Sequence, residues 1–294
     1  MAEQAETPAG RLVEETAPCV DASTIVLLRD AAAGADDGGD GTDDAGACGI
    51  EVLLLERHIE SDFAGGALVF PGGKVDPADR DLAPERWEGA DPARWREALG
   101  AATDEDALGL LVAAVRETFE EADVMLARRD GRPVTDEDLA SRSFAEARAR
   151  LSRRGEPFDW RDWLAEEDLV LDLGALALWS WWVTPKGQHK RFDTRFFVAT
   201  LPPGQSAAHD DVEMTSLRWS TPQAALEAQA AGTTTVIYPT RKNLEALCGH
   251  ATAAEAWHAA DRGEVEQRRI EPEIVEVDGR IMVQHPYESG PDPI

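Results

Sequence analysis

Three glutamates on one face of a predicted helix, Glu117, Glu120 and Glu121, are the residues of this sequence best suited to chemistry. On a helical wheel of about 100° per residue, Glu120 and Glu121 both lie within about 60° of Glu117. Like charges three or four residues apart destabilise a helix by about 0.2 to 0.5 kcal/mol, unless a cation lies between them. Oxygen ligands in this number suit Mg²⁺ or Mn²⁺, and Arg116 can pair with Glu120. A solvated acidic face explains the helix equally well when it is taken alone.

A double glycine upstream of this helix is the second candidate feature. Residues 67–70 form a short apolar run that predicts a strand, and Pro71-Gly72-Gly73 ends it with a turn. Glycine lets the main chain approach a metal ion or a phosphate that a side chain would keep away. Most double glycines are only turns, but this one precedes a helix with aligned carboxylates. The combination favours a site for a metal ion and a phosphorylated substrate.

Together these residues resemble the signature of the Nudix hydrolase family, the Nudix box. Its pattern reads Gly, five residues, Glu, seven residues, Arg-Glu, a hydrophobic residue, any residue, Glu-Glu, any residue, Gly. In this chain Gly73 is followed after five residues by Asp79 in place of Glu, and the second half is the run Arg116-Glu117-Thr118-Phe119-Glu120-Glu121-Ala122-Asp123-Val124. The interval between the halves is much longer than seven residues. We expect residues 80–108 to form a helical insertion within the box.

The split box resembles the branch of the family that includes the peroxisomal coenzyme A diphosphatase, and the resemblance covers roughly residues 20–250. Four other segments share it: Val52-Leu53-Leu54-Leu55-Glu56-Arg57, Trp182-Val183-Thr184-Pro185, Arg191-Phe192-Asp193-Thr194-Arg195-Phe196-Phe197 and Pro239-Thr240-Arg241-Lys242-Asn243-Leu244. The resemblance implies an α/β fold, a Nudix-type α/β/α sandwich with a mixed β-sheet. It also implies that Glu117, Glu120 and Glu121 are metal ligands, together with a main-chain carbonyl of the Gly72-Gly73 turn.

By the same resemblance, Arg116 is an orienting partner of the metal ligands. Asp79 and Asp123 depart from the pattern. Asp79 is shorter than the expected Glu, so its role is open. Asp123 replaces the Gly that ends the metal-binding helix. Because Asp tolerates a left-handed backbone, the helix either ends there or runs on toward Asp130.

The residues that would complete the site are less clearly marked. Glu213, just before a predicted strand that ends at Trp219, is a candidate general base, with Asp210, Asp211 or a helix glutamate as alternatives. Three basic residues, Lys186, Arg191 and Arg195, are candidates for binding a substrate phosphate. The alternative is that these three pair with acids of the protein itself.

Alternating or apolar runs predict strands, and apolar residues at helical spacing predict helices. The strands are at residues 23–29, 50–57, 67–70, 174–184, 191–201 and 213–219, with a hairpin at 274–283. The helices are at residues 84–100, 105–127, 136–150, 222–231 and 240–249. The order shows no regular βαβ repeat, so a mixed sheet flanked by helices is expected.

Composition limits the partners. The net charge of −28 argues against nucleic acid, because basic side chains supply most of the affinity for a phosphate backbone. No apolar run reaches the ~18 residues of a membrane span, and residues 1–16 lack the features of a secretory signal, so a cytoplasmic protein without membrane partners is expected. Cys19, Cys48 and Cys248 form no disulfide or zinc pattern. A homodimer remains open.

We expect residues 18–294 to form one domain. Within it, residues 31–49 are predicted to be a mobile loop and residues 270–294 a C-terminal hairpin and tail. Residues 1–17 are predicted to be a flexible tail. These predictions rest on composition, since residues 31–49 consist largely of Ala, Gly and Asp.

Three hypotheses for function follow, and the partner in each is a small nucleotide diphosphate. The first is metal-dependent hydrolysis of coenzyme A or an acyl-coenzyme A into 4′-phosphopantetheine and adenosine 3′,5′-bisphosphate. The second keeps this chemistry with ADP-ribose, a dinucleotide or a nucleoside triphosphate as substrate. The third is a nucleotide-binding regulator without catalysis, for which the departures at Asp79 and Asp123 are the only support.

Overall fold

The computed structural model describes residues 17–31, 49–57, 66–153, 158–208 and 214–293. Three of the predictions fall outside these residues: the tail except for residue 17, the loop except for residues 31 and 49, and the candidate base Glu213. Within the described residues, no helix is long and apolar enough to cross a membrane. The assignment of residues 18–294 to one domain stays a prediction.

The described residues form sixteen strands and eight α-helices. The strands are β1 (Cys19–Asp30), β2 (Ile50–Arg57), β3 (Ala67–Val69), β4 (Gly72–Lys74), β5 (Trp87–Glu88), β6 (Ala127–Arg129), β7 (Arg132–Pro133), β8 (Leu169–Asp172), β9 (Ala177–Val183), β10 (Arg191–Thr200), β11 (Met214–Ser220), β12 (Thr235–Val236), β13 (Arg269–Ile270), β14 (Glu273–Val277), β15 (Arg280–Gln284) and β16 (Asp292–Pro293). The helices are α1 (Pro92–Leu99), α2 (Asp104–Ala122), α3 (Asp136–Leu139), α4 (Arg142–Leu151), α5 (Trp160–Glu166), α6 (Pro222–Ala230), α7 (Tyr238–Leu247) and α8 (Ala253–Asp261). Short 3₁₀ turns lie at Pro77–Arg80, Pro84–Arg86 and Leu173–Ala175.

A nine-stranded mixed sheet forms the centre of the fold. Its order is β12-β3-β2-β1-β10-β9-β13, with β11 paired to β2 and β4 paired to β1. β1 and β10 run parallel, and β1 and β2 run antiparallel. Successive residues of a strand face opposite sides, so the continuous apolar run of β1 predicts a strand buried on both faces.

The core confirms this arrangement. Ile25 and Leu27 of β1 pack in the cluster that contains α2, whereas Val26 and Leu28 pack in the cluster that contains α7 and α8. Helices therefore cover both faces of the sheet, as the α/β/α sandwich with a mixed sheet requires.

Helix α2 is shorter at its C-terminal end than the apolar pattern predicts. The Thr103 side chain caps its start by accepting a hydrogen bond from the Asp106 amide. The helix ends at Ala122, because Asp123 adopts a left-handed conformation with φ of 56° and its amide bonds the Phe119 carbonyl. Of the two alternatives for Asp123, the structure has the one in which Asp takes over the role of the family's Gly.

The insertion within the box is helical only in part. Instead of one helix over residues 84–100, it contains a 3₁₀ turn, strand β5 and helix α1. Gly89, with φ of 77°, interrupts the helical pattern where its main chain passes close to Gly174. Asp91 and Pro92 then start α1 as its N-cap and first residue. β5 pairs with β8 in a separate four-stranded sheet.

Downstream, the predicted helix at residues 136–150 differs from the structure, and the predicted hairpin at residues 274–283 matches it. The helix predicted at 136–150 is two helices, α3 and α4, because Ser141 starts a new helix as its N-cap. The hairpin of β14 and β15 turns at Asp278 and Gly279, which both have positive φ as a type I′ turn requires.

Candidate active site

The glycine turn and the acidic face of α2 lie in direct contact. The Gly72 amide donates a hydrogen bond of 2.8 Å to Oε2 of Glu121. β4 is held in this place by antiparallel pairing with β1, in which Gly73 stands opposite Ser23. The Ser23 hydroxyl in turn donates to the Leu110 carbonyl of α2 at 2.7 Å. The predicted meeting of turn and helix is therefore present, and β1 fixes both partners.

Gly73 is needed for a reason specific to this site. A Cβ at this position would lie 2.5 Å from Oε1 of Glu117 and 2.6 Å from its Oε2. Real Cβ atoms do not approach oxygen that closely, so only glycine lets the Glu117 carboxylate lie against the main chain. At Gly72 a Cβ would instead meet the main chain of β1, 2.5 Å from the Ser23 carbonyl oxygen.

Arg116 joins the two halves of the split box. Its Nε and Nη2 donate to the two carboxylate oxygens of Asp79 at 2.9 and 3.0 Å, and Nη2 also donates to the Lys74 carbonyl at 2.9 Å. Its Nη1 lies 2.9 Å from Oε1 of Glu117 and 3.6 Å from Oε2 of Glu120. One guanidinium thus orients two of the candidate ligands and anchors the loop that carries the glycines.

Asp79 lies in the 3₁₀ turn Pro77–Arg80, and its contacts bear on the open question of its role. Its side chain is fully buried, and Oδ2 also accepts a hydrogen bond from the Asp76 amide at 2.8 Å. This turn brings the shorter carboxylate within reach of Arg116, so Asp can take the place that the family pattern writes as Glu.

The carboxylates of the site are buried close together, and burial disfavours their charged forms. It raises the pKa of Glu117, against the lowering effect of Arg116. The pKa of Glu121 is raised well above its ordinary value by burial and by the nearby Glu117 carboxylate, while the Gly72 amide opposes the rise. Burial disfavours the charged form of Arg116, but Glu117 and Asp79 outweigh it and raise the Arg116 pKa. A cation placed between Glu117 and Glu121 would relieve their repulsion.

The side chains of Glu117, Glu120 and Glu121 nevertheless do not form a complete metal site. Within the described residues, no three of the His, Cys, Asp and Glu side chains are grouped so that they could hold a metal ion. One oxygen of each of two candidate ligands is already in contact with the protein, since Glu117 pairs with Arg116 and Glu121 accepts a hydrogen bond from Gly72. The donor set fits a hard divalent cation, since it consists of carboxylates beside a main-chain turn from which a Cβ is excluded.

Arg148 of α4 is a functional candidate that the sequence did not reveal. Its Nε donates to the Glu120 carbonyl at 2.9 Å, and its Nη2 donates to the carbonyls of Glu121 at 3.4 Å and Ala208 at 2.6 Å. The Ala208 amide donates to the Ala122 carbonyl at 2.9 Å. The end of α2 is thus capped by a cation and tied to the segment that precedes residues 209–213. No motif marks Arg148, because its partners are main-chain carbonyls and the Asp123 carboxylate at 3.6 Å, all far away in sequence.

The predicted phosphate-binding arginines are occupied elsewhere. Arg191 is buried, with hydrogen bonds to the carbonyls of Thr184, Pro185 and Ala17 and to the Glu271 carboxylate. Lys186 is exposed on the loop between β9 and β10. The alternative, pairing within the protein, therefore describes Arg191.

Arg195 is used in the same way. It donates to the Leu99 carbonyl and to the carboxylates of Asp21 and Asp193, and its guanidinium lies 4.3 Å from the ring centre of Trp181. The hydrogen bonds of Arg191 and Arg195 thus fit the alternative in which these residues pair within the protein, and the anion-binding role stays a prediction. A cavity of about 310 Å³ between β9, α7 and the C-terminal segment contains none of the predicted site residues.

Comparisons with known proteins agree with this geometry. The family profile described as NUDT19 Nudix domain matches residues 20–244. The acyl-coenzyme A diphosphatase NUDT19 of Gallus gallus is 33% identical over 222 residues, which cover 62% of this chain and 57% of that protein. Its counterpart in Homo sapiens is 33% identical over 211 residues, which cover 61% and 56%. The chain thus matches just over half the length of these relatives.

The fold is similar to that of a solved relative. The crystal structure of a Nudix hydrolase from Alicyclobacillus acidocaldarius superimposes with a TM-score of 0.61 at 28% identity, covering 82% of this chain and 96% of that one. The match to the family profile, the shared fold, and the contact between glycine turn and acidic helix lead to one assignment: the chain belongs to the Nudix hydrolase family, with a Nudix domain of the NUDT19 type.

Proposed function

We propose that this protein hydrolyses the diphosphate bond of coenzyme A or an acyl-coenzyme A with the help of Mg²⁺ or Mn²⁺. The observation that carries the proposal is the contact of the Gly72-Gly73 turn with Glu117 and Glu121. The similarity to acyl-coenzyme A diphosphatases supports the choice of substrate. The products would be 4′-phosphopantetheine and adenosine 3′,5′-bisphosphate.

The carboxylates of Glu117, Glu120 and Glu121 would hold the cation, together with a main-chain carbonyl of the glycine turn. A bound divalent cation supplies charge neutralisation at the diphosphate and lowers the pKa of a water molecule. Arg116 keeps Glu117 and Glu120 oriented, and Asp79 keeps Arg116 in place. Glycine at position 73 lets the Glu117 carboxylate lie directly against the main chain of the turn.

A carboxylate must remove a proton from the attacking water. Glu213 remains the candidate proposed from the sequence, and it lies outside the described residues. The residues on either side of its segment support this choice. The Ala208 amide is bonded to the end of α2, and Met214 pairs with Arg57 at the end of β2. One of the helix glutamates is the alternative base.

The test is product analysis over a substrate panel with Mg²⁺ and Mn²⁺. Purified protein would be incubated with coenzyme A, an acyl-coenzyme A, ADP-ribose, a dinucleotide and a nucleoside triphosphate, and the products separated by chromatography. We expect the highest kcat/KM with coenzyme A or its acyl derivative. Preference for another member of the panel would keep the chemistry and replace the substrate.

The regulator hypothesis predicts a different result, which is nucleotide binding without turnover under either metal. The intact pair of Asp79 and Arg116 speaks against it. Asp79 is buried and bonded through both oxygens, so its departure from the family pattern is no sign of a decayed box.

A further inference from the structure

Arg57 is the last residue of β2, and its side chain forms no ion pair within the described residues. Its Nε is buried and makes no hydrogen bond, although the residue as a whole is only half-buried. Burial of a donor without an acceptor is unfavourable, and native proteins rarely leave one in this state. An arginine in this condition calls for an explanation.

The charge of the chain makes an unpaired arginine more unusual. Acidic residues number 57 and Lys plus Arg number 29, so basic side chains have acids available throughout the protein. Arg116 and Arg148, the other arginines of the site, are fully engaged with Asp79 and with the end of α2. Arg57 lies close enough to Glu121 for its charge to lower the Glu121 pKa, but the two form no ion pair.

The main chain places Arg57 at the edge of the proposed site. Its carbonyl accepts a hydrogen bond from the Gly66 amide, and it stands opposite Met214 in the pairing of β2 with β11. Two residues earlier, Leu55 pairs with Val69 of β3, the strand that leads into the glycine turn. β1 connects Arg57 to the glycine turn, because it pairs with β2 at Leu28 and Val52 and with the turn at Thr24 and Gly72. Continued over four residues, the antiparallel register of β1 and β2 brings the end of β2 level with Thr24, so Arg57 lies near the turn.

We propose that Arg57 binds the diphosphate group of the substrate. The inference rests on the proposed function and adds a cationic contact for the phosphate groups, since the guanidinium groups of Arg191 and Arg195 are hydrogen-bonded to carboxylates of the protein. A guanidinium donates two parallel hydrogen bonds to phosphate oxygens, a geometry that lysine cannot reproduce. The Nε donor of Arg57, which makes no hydrogen bond within the protein, would then donate to a phosphate oxygen of the substrate.

Binding of methylenediphosphonate, a diphosphate analogue that resists hydrolysis, provides the test. Its affinity would be measured by calorimetry in Mg²⁺ for the wild type, Arg57→Gln and Arg57→Lys. We expect Arg57→Gln to weaken binding by about tenfold to a hundredfold, the loss typical of a charge-assisted hydrogen bond, and Arg57→Lys to weaken it less. Arg142→Gln serves as the control, since Arg142 is exposed and pairs with the exposed Glu146 of its own helix.

A denaturation curve separates binding from a structural role. If Arg57 only stabilises the fold, Arg57→Gln would lower the unfolding midpoint and leave the affinity for the diphosphonate unchanged, which would overturn the proposal. We expect the opposite pattern, with affinity lost and the midpoint retained.

The same binding data keep the two proposals distinct. If the wild type hydrolyses no compound of the panel, the proposed function fails. The role of Arg57 still stands in that case when the wild type binds the diphosphonate and Arg57→Gln binds it more weakly. It is rejected when the two proteins bind equally well or when neither binds.

Discussion

The guanidinium of Arg116 and the carboxylate of Asp79 form a buried pair with two parallel hydrogen bonds of 2.9 and 3.0 Å. The residues belong to the two halves of the Nudix box, which the insertion separates in sequence. Such a pair fixes one half relative to the other, because both of its hydrogen bonds are met only in one orientation. The insertion can therefore be long without loosening the site.

Replacing Asp79 by Ala is expected to destabilise the protein by about 3 to 5 kcal/mol, because Arg116 would remain buried without its main counter-charge. Activity should fall as well, since Arg116 would lose its anchor and no longer orient Glu117. Urea denaturation of the wild type and the variant measures the first effect. Glu146→Gln is the control, because it removes only an exposed ion pair with Arg142, and such pairs contribute little to stability. Equal losses in the two variants would contradict the structural role of Asp79.

The two glycines of the turn should respond differently to alanine. In Gly73→Ala the new Cβ meets the Glu117 carboxylate, the end of a side chain that can move, so stability should change little. Displacing that carboxylate should nevertheless lower kcat by roughly a hundredfold, the usual effect of a 1 Å misplacement in an active site.

Gly72→Ala is the matched comparison. Its Cβ meets the main chain of Ser23 and Thr24, which cannot move without breaking the pairing of β1 and β4. We expect a loss of about 1 to 3 kcal/mol in the free energy of unfolding. Denaturation curves together with steady-state rates check both variants. A Gly73→Ala protein with full activity would exclude Glu117 from the site.

The sequence predicts the two elements of the site and their meeting, because each has a local pattern. The acids of α2 recur at helical spacing, and the glycines follow a short apolar strand. The expected proximity of the glycine turn and the acidic face of the helix is seen as a hydrogen bond from the Gly72 amide to Glu121. The sequence also predicts strand β1, because its continuous apolar run suits a strand that is buried on both faces of the sheet.

Arg57, Arg148 and Arg195 show where sequence reasoning ends. The partners of Arg148 and Arg195 are carbonyls and carboxylates contributed by distant segments, and no local spacing indicates such contacts. The basic cluster around Arg195 suggested phosphate binding, yet folding places Leu99 and Asp21 within reach of its guanidinium. The end of α2 was uncertain for a related reason, since Asp is compatible both with a helix and with the left-handed residue that follows one.

Arg148 should act on turnover through the end of α2. In Arg148→Met the carbonyls of Glu120, Glu121 and Ala208 lose their shared donor, which is expected to cost about 1 to 3 kcal/mol of stability. Because these carbonyls belong to or adjoin the glutamate-bearing turn, kcat should fall more than KM rises. Arg148→Lys keeps the charge at the helix end and should recover part of both losses. Arg142→Gln, on the same helix and exposed, is the control, and kinetics like those of this control in Arg148→Met would refute the positioning role.

Stability at acidic pH should depend on Asp138 of α3. Hydrogen bonds from Arg132, and from the amide and hydroxyl of Thr135, hold its pKa well below the ordinary value. A carboxyl whose pKa is lowered by folding stabilises the protein above its unfolded pKa of about 3.9. That contribution disappears as the pH falls through the lower pKa of the folded state.

The comparison of wild type with Asp138→Asn isolates this contribution. The difference in urea midpoint between the two proteins should be largest at pH 7 and should shrink as the pH falls below about 4. A difference that stays constant down to pH 3 would show that Asp138 acts through its shape and capping alone.

Glu121→Gln tests the site with the smallest change in structure. The amide oxygen of Gln can still accept the hydrogen bond from Gly72, so the contact between turn and helix should survive and the unfolding midpoint should stay close to that of the wild type. The negative charge is lost, and a neutral oxygen is a poorer ligand for a divalent cation. We expect hydrolysis to fall by about a hundredfold or more. Glu105→Gln, an exposed glutamate on the same helix, should keep the wild-type rate. If Glu121→Gln also kept that rate, the metal-dependent mechanism would have to be abandoned, even though the fold and family assignments would stand.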